Sequence, residues 1–301
     1  MTQRIRIATR KSKLAMQQAN YIRILLQRFN RDLEVEILGV VTTGDKSAQD
    51  IGFQMSGKGD FLKEIETELF AETADLAIHS MKDVPAQLPD GLTVSAIGPR
   101  LDPTDALAGI DSLSNLPANA RIGTSSSRRR ALLRHVYKKT NVQPVRGNVD
   151  TRLQKLDHGK FDALVLATSG LLRLGLDNRI GTRLNPSIFV PAAGQGQLAV
   201  EYRNDDDRIK KLVSTLEVPD TSLASYCERD VVNELGADCT TPIGVYCEPI
   251  DQGFHILCIV LDSRGEHSVK VSFFDESPSK LAKKAVRSLL SMGARDLFEA
   301  A

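Results

Sequence analysis

Polar and apolar positions alternate through Arg4-Ile5-Arg6-Ile7-Ala8-Thr9, the period of a strand with one buried face. Ser12 then opens a helical period, with Leu14, Tyr21, Ile22, Leu25, Leu26 and Phe29 as its apolar face. A second strand is predicted from Val35 to Val41, and Phe61, Leu62, Ile65, Leu69 and Phe70 mark a further helix. Between them, Thr43 to Gly59 is polar, holds four glycines and has no helical period. It predicts a mobile loop, and so long an irregular loop within a domain is usually functional or disordered. The strand Asp75-Leu76-Ala77-Ile78 ends at His79-Ser80-Met81-Lys82-Asp83-Val84-Pro85. Another strand lies near Thr93 to Ile97, and Gly98-Pro99-Arg100-Leu101-Asp102-Pro103 breaks the pattern.

The next stretch repeats the first in outline. Arg121-Ile122-Gly123-Thr124, serines and a helix parallel Arg6-Ile7-Ala8-Thr9, Ser12 and its helix. The helix from Thr151 to His158 and the strand from Phe161 to Leu166 parallel the Phe61 helix and the Ile78 strand. Such alternation predicts α/β lobes, each a sheet covered by helices. Gly194-Gln195-Gly196 reads as a return crossing, after which Leu198 to Tyr202 is a strand able to rejoin the first lobe. Two lobes joined by two crossings imply a hinged cleft, and ligands of open α/β folds sit beyond strand ends. From Pro219 the pattern changes to a helix, strands at Ile243 to Glu248, Phe254 to Leu261 and Ser268 to Phe274, and a helix from Pro278 to Met292. That predicts a separate small α+β domain. The expected boundaries are 1–97 with 197–216, 102–192, and 219–301.

Charge narrows the function. In 301 residues, 39 Lys+Arg against 38 Asp+Glu leave a net charge of +1, so a basic site is local; this argues against a protein built to hold nucleic acid. No apolar run reaches the roughly 18 residues of a membrane span. Met1 to Arg10 reads as a charged strand rather than a signal peptide, so the expected location is cytoplasmic. The four cysteines form no C-x-x-C pair or metal-finger spacing, the histidines show no ligand spacing, and no metal is expected. Cys227, Cys247 and Cys258 fall on apolar faces and read as small core residues. Cys239, in the turn Gly236-Ala237-Asp238-Cys239-Thr240-Thr241-Pro242, is the candidate for covalent chemistry.

The stretch Thr124-Ser125-Ser126-Ser127-Arg128-Arg129-Arg130 carries the strongest chemical signal. Ser126 or Ser127 is a natural N-cap. Cations directly after a cap oppose the helix dipole, whereas free N–H groups, hydroxyls and guanidinium forks together make an anion cradle. The alternative is a solvated basic face. The expected cleft gathers Arg10, Ser12, Lys58, Lys82, Thr124, Ser125, Ser126, Arg128, Arg129, Arg146, Arg152, Arg173 and Arg203. Arginines repel when gathered, so an enclosed cluster implies a polyanionic occupant. No G-x-x-x-x-G-K-[ST] or G-x-G-x-x-G unit points to a nucleotide. Asp83 is the acidic exception. It is either an ion-pair partner or cap, or a carboxylate that stabilises developing positive charge and exchanges protons.

Taken in order, Ile7-Ala8-Thr9-Arg10-Lys11-Ser12, His79 through Pro85, Gly123-Thr124-Ser125-Ser126 with Arg128-Arg129, Arg146-Gly147-Asn148-Val149, Pro191 through Gly196 and Cys239-Thr240-Thr241-Pro242-Ile243-Gly244 resemble the porphobilinogen deaminase family. The resemblance runs from Arg6 to Gly244 and continues more loosely to the end. It implies two hinged periplasmic-binding-protein-like α/β lobes plus the small C-terminal α+β domain, in a monomer. It implies a transferase of tetrapyrrole (heme) biosynthesis with a dipyrromethane cofactor held by a thioether to Cys239. Four porphobilinogen molecules would be added head to tail, each losing ammonia, before water releases hydroxymethylbilane. By the matching motifs, Asp83 would be catalytic. Lys82, Ser80, Lys58, Thr124, Ser126, Arg128, Arg129 and Arg152 would bind cofactor; Arg10, Ser12, Arg146, Arg152, Arg173, Gln195 and Arg203 would bind or lie near substrate. The Thr43 to Gly59 loop would be a lid. The sequence departs from the family's usual residues at Gln54, Asp60 and Thr104. The rival class is a non-catalytic two-lobed polyanion-binding protein.

Overall fold

The computed structural model describes residues 3–43, 62–117, 119–138, 141–238 and 240–299. Nearly all of the Thr43 to Gly59 loop lies outside them. The chain divides into two compact units, Met1–Arg100 with Gln197–Ser222 and Leu101–Gly196 with Leu223–Ala301.

In the first unit, β1 (Gln3–Arg10) buries Ile5 and Ile7 and turns Arg4 outward, as its alternation predicts. The helix α1 (Lys13–Phe29) starts where Ser12 Oγ accepts the Ala15 N–H at 3.3 Å. Its buried stripe is Ala15, Gln18, Ala19, Ile22 and Leu26, while Tyr21 and Phe29 of the expected face are exposed. Hydrophobicity alone misplaces the face because the small alanines are what let the helix lie close against the sheet. With β2 (Leu33–Val40), β3 (Leu76–Ser80), β4 (Leu92–Ile97) and β10 (Leu198–Arg203), β1 forms a sheet of order β2-β1-β3-β10-β4. The first three strands are parallel and β10 is antiparallel to both neighbours. Helix α2 (Lys63–Phe70) buries Ile65 and Leu69.

The second unit repeats that plan. Its strands β5 (Asp105–Ala108), β6 (Arg121–Gly123), β7 (Asn141–Gln143), β8 (Ala163–Ala167) and β9 (Thr182–Arg183) have the order β7-β6-β8-β5-β9. Here β6 is parallel to β7 and β8, and β5 is antiparallel to β8 and β9. The repetition extends to atoms. Arg6 donates its backbone N–H (2.7 Å) and guanidinium to Asp75, and its carbonyl accepts the Asp75 N–H at 2.9 Å. Arg121 and Asp162 make the same clamp, with the same 2.7 and 2.9 Å backbone bonds. Helices α3 (Ser127–Val136), α4 (Val149–Asp157) and the short α5 (Thr168–Arg173) belong to this lobe. The architecture is two α/β lobes, each built on a five-stranded sheet, with a small third sheet of three strands.

That third sheet is the antiparallel meander β11 (Ile243–Ile250), β12 (Gly253–Leu261) and β13 (Ser268–Asp275). Helices α7 (Pro219–Glu234), α8 (Pro278–Ser291) and α9 (Ala294–Glu299) accompany it; α6 (Asp207–Ser214) belongs to the first unit. Cys227, Cys247 and Cys258 are buried in its core beside Val231, Val260 and Leu289, as their apolar settings predict. Leu257, Ile259 and Leu261 join Leu107, Ile122 and Leu132 in one cluster, so the meander and the second lobe share apolar core.

Burial resists ionisation of Asp75, but hydrogen bonds from Arg6 and the charges of Arg6 and Arg208 more than offset it and hold its pKa below the ordinary value. Its contribution to stability is therefore complete above the usual carboxylate range and lost as pH falls through the depressed folded value. Asp75→Asn is expected to cost about 1–3 kcal/mol near neutrality. In urea unfolding at several pH values, the gap between wild type and variant narrows on acidification.

Candidate active site

Two sheet edges carry the polar chemistry. In the second unit, β6 ends at Gly123, where a Cβ would lie 2.5 Å from Leu164 Cδ2 and 3.0 Å from Phe161 Cδ1, so only glycine lets the strand pack here. The chain then turns. Thr124 donates its N–H to Gln143 O at 2.9 Å, and Ser125 Oγ both donates to Val145 O (2.7 Å) and accepts Val145 N–H (3.1 Å). Ser126 is the cap of α3, accepting the Arg129 N–H at 3.3 Å. Of the two capping serines offered by the sequence, the first is used. The neighbouring loop holds Arg146, exposed, and Gly147 at φ 105°, whose carbonyl accepts from Arg152 Nε at 2.7 Å.

Arg128 and Arg129 follow the cap, and both are buried. Their partner is Asp105, the fully buried first residue of β5. Arg129 reaches Asp105 Oδ1 through Nε (2.9 Å) and Nη2 (2.6 Å), and donates from Nη1 to Val165 O at 3.0 Å. Arg128 Nη1 lies 2.8 Å from Asp105 Oδ2 as an ion pair without an aligned hydrogen bond, and donates to Val190 O at 2.7 Å. Gln195 completes the group, donating to Asp105 Oδ1 (3.0 Å) and Pro103 O (2.7 Å). Burial alone would raise the Asp105 pKa; the two guanidiniums and Gln195 reverse this and hold it far below the carboxylate range. Burial lowers the Arg128 pKa, Asp105 opposes that and Arg129 adds to it, but guanidinium starts too high to lose its charge. Two buried cations therefore share one buried anion. The excess positive charge, beside the hydroxyls of Thr124 and Ser126 and the N-terminus of α3, suits a ligand carboxylate.

The first unit offers a matching edge. β1 and β3 are parallel neighbours, so the loops leaving their C-terminal ends share one side of the sheet. After β1 come half-buried Arg10 and Ser12, the α1 cap. After β3 comes Ser80, whose Oγ accepts from Gln18 Nε2 at 2.9 Å, then the 3-10 turn Met81–Asp83. Met81 is buried and donates its N–H to Gln197 O (3.0 Å), and Val84 N–H closes the turn on Met81 O (3.1 Å). This rigid turn presents Lys82 half-buried and Asp83 exposed.

Arg203 stands apart from that edge. β10 runs antiparallel with Leu198 opposite Ser80, which puts Arg203 at the other end of the sheet. There it donates to Leu69 O (2.6 Å) and Ala74 O (3.0 Å) and pairs with Asp206 at 3.2 Å. Arg173 donates to Gly196 O at 2.7 Å. Lys58 and Cys239 lie outside the described residues. Beside Cys239, Asp238 Oδ1 accepts the N–H groups of Thr240 (2.9 Å) and Thr241 (3.2 Å), as expected of a tight turn. Sequence reasoning passed over Asp105; its only signal is a lone acid heading the apolar Ala106-Leu107-Ala108. It also passed over the buried pair of His79 Nε2 and Glu201 Oε2, 3.0 Å apart.

These edges define a class: a two-lobed α/β protein whose strand ends gather hydroxyl, guanidinium and ammonium donors. The family is set by comparison: residues 5–211 match the family model described as porphobilinogen deaminase, dipyromethane cofactor binding domain. The chain is 43% identical to the porphobilinogen deaminase of Chromobacterium violaceum, over 99% of this chain and 97% of that one. It is 41% identical to that of Legionella pneumophila subsp. pneumophila (98% and 97% covered) and 40% identical to that of Syntrophobacter fumaroxidans (99% and 98%). The chain belongs to the porphobilinogen deaminase family.

Removing the Asp105 charge leaves two buried guanidiniums facing each other. Asp105→Asn is expected to cost about 3–5 kcal/mol of folding stability, measured by urea unfolding; a loss within the range of ordinary surface substitutions would contradict the charge balance described.

Proposed function

We propose that the chain is a transferase that condenses four porphobilinogen molecules head to tail on a dipyrromethane cofactor tethered through Cys239, releasing ammonia and finally hydroxymethylbilane. The observation that carries this reading is the buried group of Arg128, Arg129 and Asp105, with one positive charge more than it can satisfy internally. The donor set fits the cofactor, whose pyrroles bear acetate and propionate arms: guanidinium forks pair with carboxylates through parallel charge-assisted hydrogen bonds, and hydroxyls add further donors. Thr124, Ser126, Arg128, Arg129 and Arg152 would hold it, with Ser80, Lys82 and Lys58. When bound, it supplies the free pyrrole α-carbon from which the product grows.

Arg10, Ser12, Arg146, Arg152, Arg173 and Gln195 would take the carboxylates of incoming substrate. Asp83 has the other task. Its turn is tied at Met81 and Val84, so the backbone that carries the exposed carboxylate is fixed. An anion prepared in this way stabilises positive charge as it develops on the substrate pyrrole when the amino group departs, and it can exchange a proton with the pyrrole N–H. Arg203, committed to backbone carbonyls and Asp206, contributes to the frame of its lobe rather than to substrate. Among the described residues no helix is long and apolar enough to cross a membrane. The reading includes a monomeric cytoplasmic enzyme in three domains, 1–97 with 197–216, 102–192 and 219–301.

Intact mass tests the tether. The purified protein is expected to exceed its sequence mass by one dipyrromethane, and Cys239→Ser to abolish the increment; a bare but active wild type would refute the proposal, and a bare, inactive one would favour a polyanion-binding protein. Asp83→Asn is expected to keep the mass increment and the melting temperature while losing nearly all turnover of porphobilinogen. Turnover near the wild-type rate would remove Asp83 from the chemistry.

A further inference from the structure

Residues 189–196 form a strap within the second unit, used from two sides. On one side are the cations: Val190 O accepts from Arg128, Gln195 Oε1 accepts from Arg129 Nη2 at 3.4 Å, and Gly196 O accepts from Arg173. On the other side is the meander with its helix. Pro191 O accepts the Val245 N–H at 2.9 Å, and Gly194 donates its N–H to Glu228 Oε2 at 2.6 Å. Glu228 lies on α7 with no exposed surface, and its other oxygen accepts the Cys247 N–H of β11 at 2.6 Å. One carboxylate thus ties the strap, α7 and β11 together. Gly244 of β11 sits against the same strap: a Cβ there would fall 2.7 Å from Val190 O and 2.9 Å from Val190 Cβ.

We propose that Glu228 and Gly244 are positioning residues for ligand carboxylate binding: through the strap they fix where the guanidiniums of Arg128 and Arg129 point. The inference rests on the reading that those arginines hold the cofactor. Two features carry it. A buried carboxylate is costly, and this one commits both its oxygens to backbone N–H groups, Gly194 of the strap and Cys247 of β11. The two anchors also act next to the atoms that orient the arginines. Gly244 bounds the carbonyl that Arg128 donates to, and Glu228 holds the residue before Gln195. Both contacts of a Gly244 Cβ with Val190 are under 3.0 Å, so a new Cβ forces the Val190 carbonyl to shift and bends the Arg128 hydrogen bond, and such bonds weaken steeply with angle.

The test compares full-length Gly244→Ala and Glu228→Gln with Val286→Ala, a core truncation on α8 in the same part of the chain. Glu228→Gln keeps the shape but replaces one acceptor by an N–H donor facing another donor. Melting temperature, cofactor increment by intact mass, and kcat and KM for porphobilinogen are measured well below the lowest melting point. Val286→Ala should melt lower yet load and turn over as wild type. Gly244→Ala and Glu228→Gln should fall about ten-fold or more in loaded fraction or in kcat/KM, beyond what their melting points explain. If both variants load and react like Val286→Ala at comparable stability, the inference is overturned. Should Glu228→Gln not fold, Gly244→Ala decides alone. A wild type without the cofactor increment overturns the deaminase reading and this inference with it, whereas loaded, active variants overturn the inference only.

Discussion

Two guanidiniums and one carboxylate, all withdrawn from water, set the terms for the second half of this protein. Isolated burial of any one of them would be prohibitive, and their mutual attraction is large only because the surroundings are dry. The arrangement therefore needs support from many directions. β5 supplies Asp105, the first turn of α3 supplies both arginines, Val165 and Val190 supply carbonyls, and Gln195 closes the group. What remains is one uncompensated positive charge beside a capped helix start. That residue of charge, rather than any single side chain, is what the proposed binding of carboxylates at this edge rests on.

The same frame is used twice with different results. Each lobe sets three parallel strands in the order second, first and third (β2-β1-β3 and β7-β6-β8), followed by an antiparallel strand, β10 or β5, and an edge strand, β4 or β9. Each is clamped by an arginine of the first parallel strand on an aspartate just before the third. In both, the loop after the first strand ends in a serine cap, at Ser12 and Ser126. The lobes diverge after the third strand. The first continues into the Met81–Asp83 turn with its exposed acid, whereas the second continues into α5, Thr168–Arg173, which contains no acid. Repetition accounts for the shared frame; the proposed chemistry depends on places where the copies differ.

Much of this was legible beforehand. The strands of the first lobe, the meander, the helix caps and the core cysteines follow from local pattern, because alternation, capping chemistry and apolar runs act over a few residues. The parallel between Arg6–Thr9 and Arg121–Thr124 was readable for the same reason. Other features escaped. The buried face of α1 is built on Ala15 and Ala19, which carry little hydrophobic signal but permit close approach. β5 is four residues long and follows Asp102-Pro103, which reads as a break, so its aspartate went unnoticed.

By itself the sequence determined most strands and helices of the first lobe and of the meander, the internal repeat, the hydroxyl-and-arginine stretch and the lone acid of the His79–Pro85 turn, all of them encoded by neighbours in the chain. Only the tertiary structure decided which arginines are matched and by what. Asp105 meets Arg128 and Arg129 across more than twenty residues, Glu228 meets Gly194 and Cys247, and Arg203 is carried to the far end of its sheet by the antiparallel run of β10. A charge has no period and leaves no local trace of its partner. Its meaning is set by burial and by what the fold brings within three ångströms or so, and that is decided when the sheets pack.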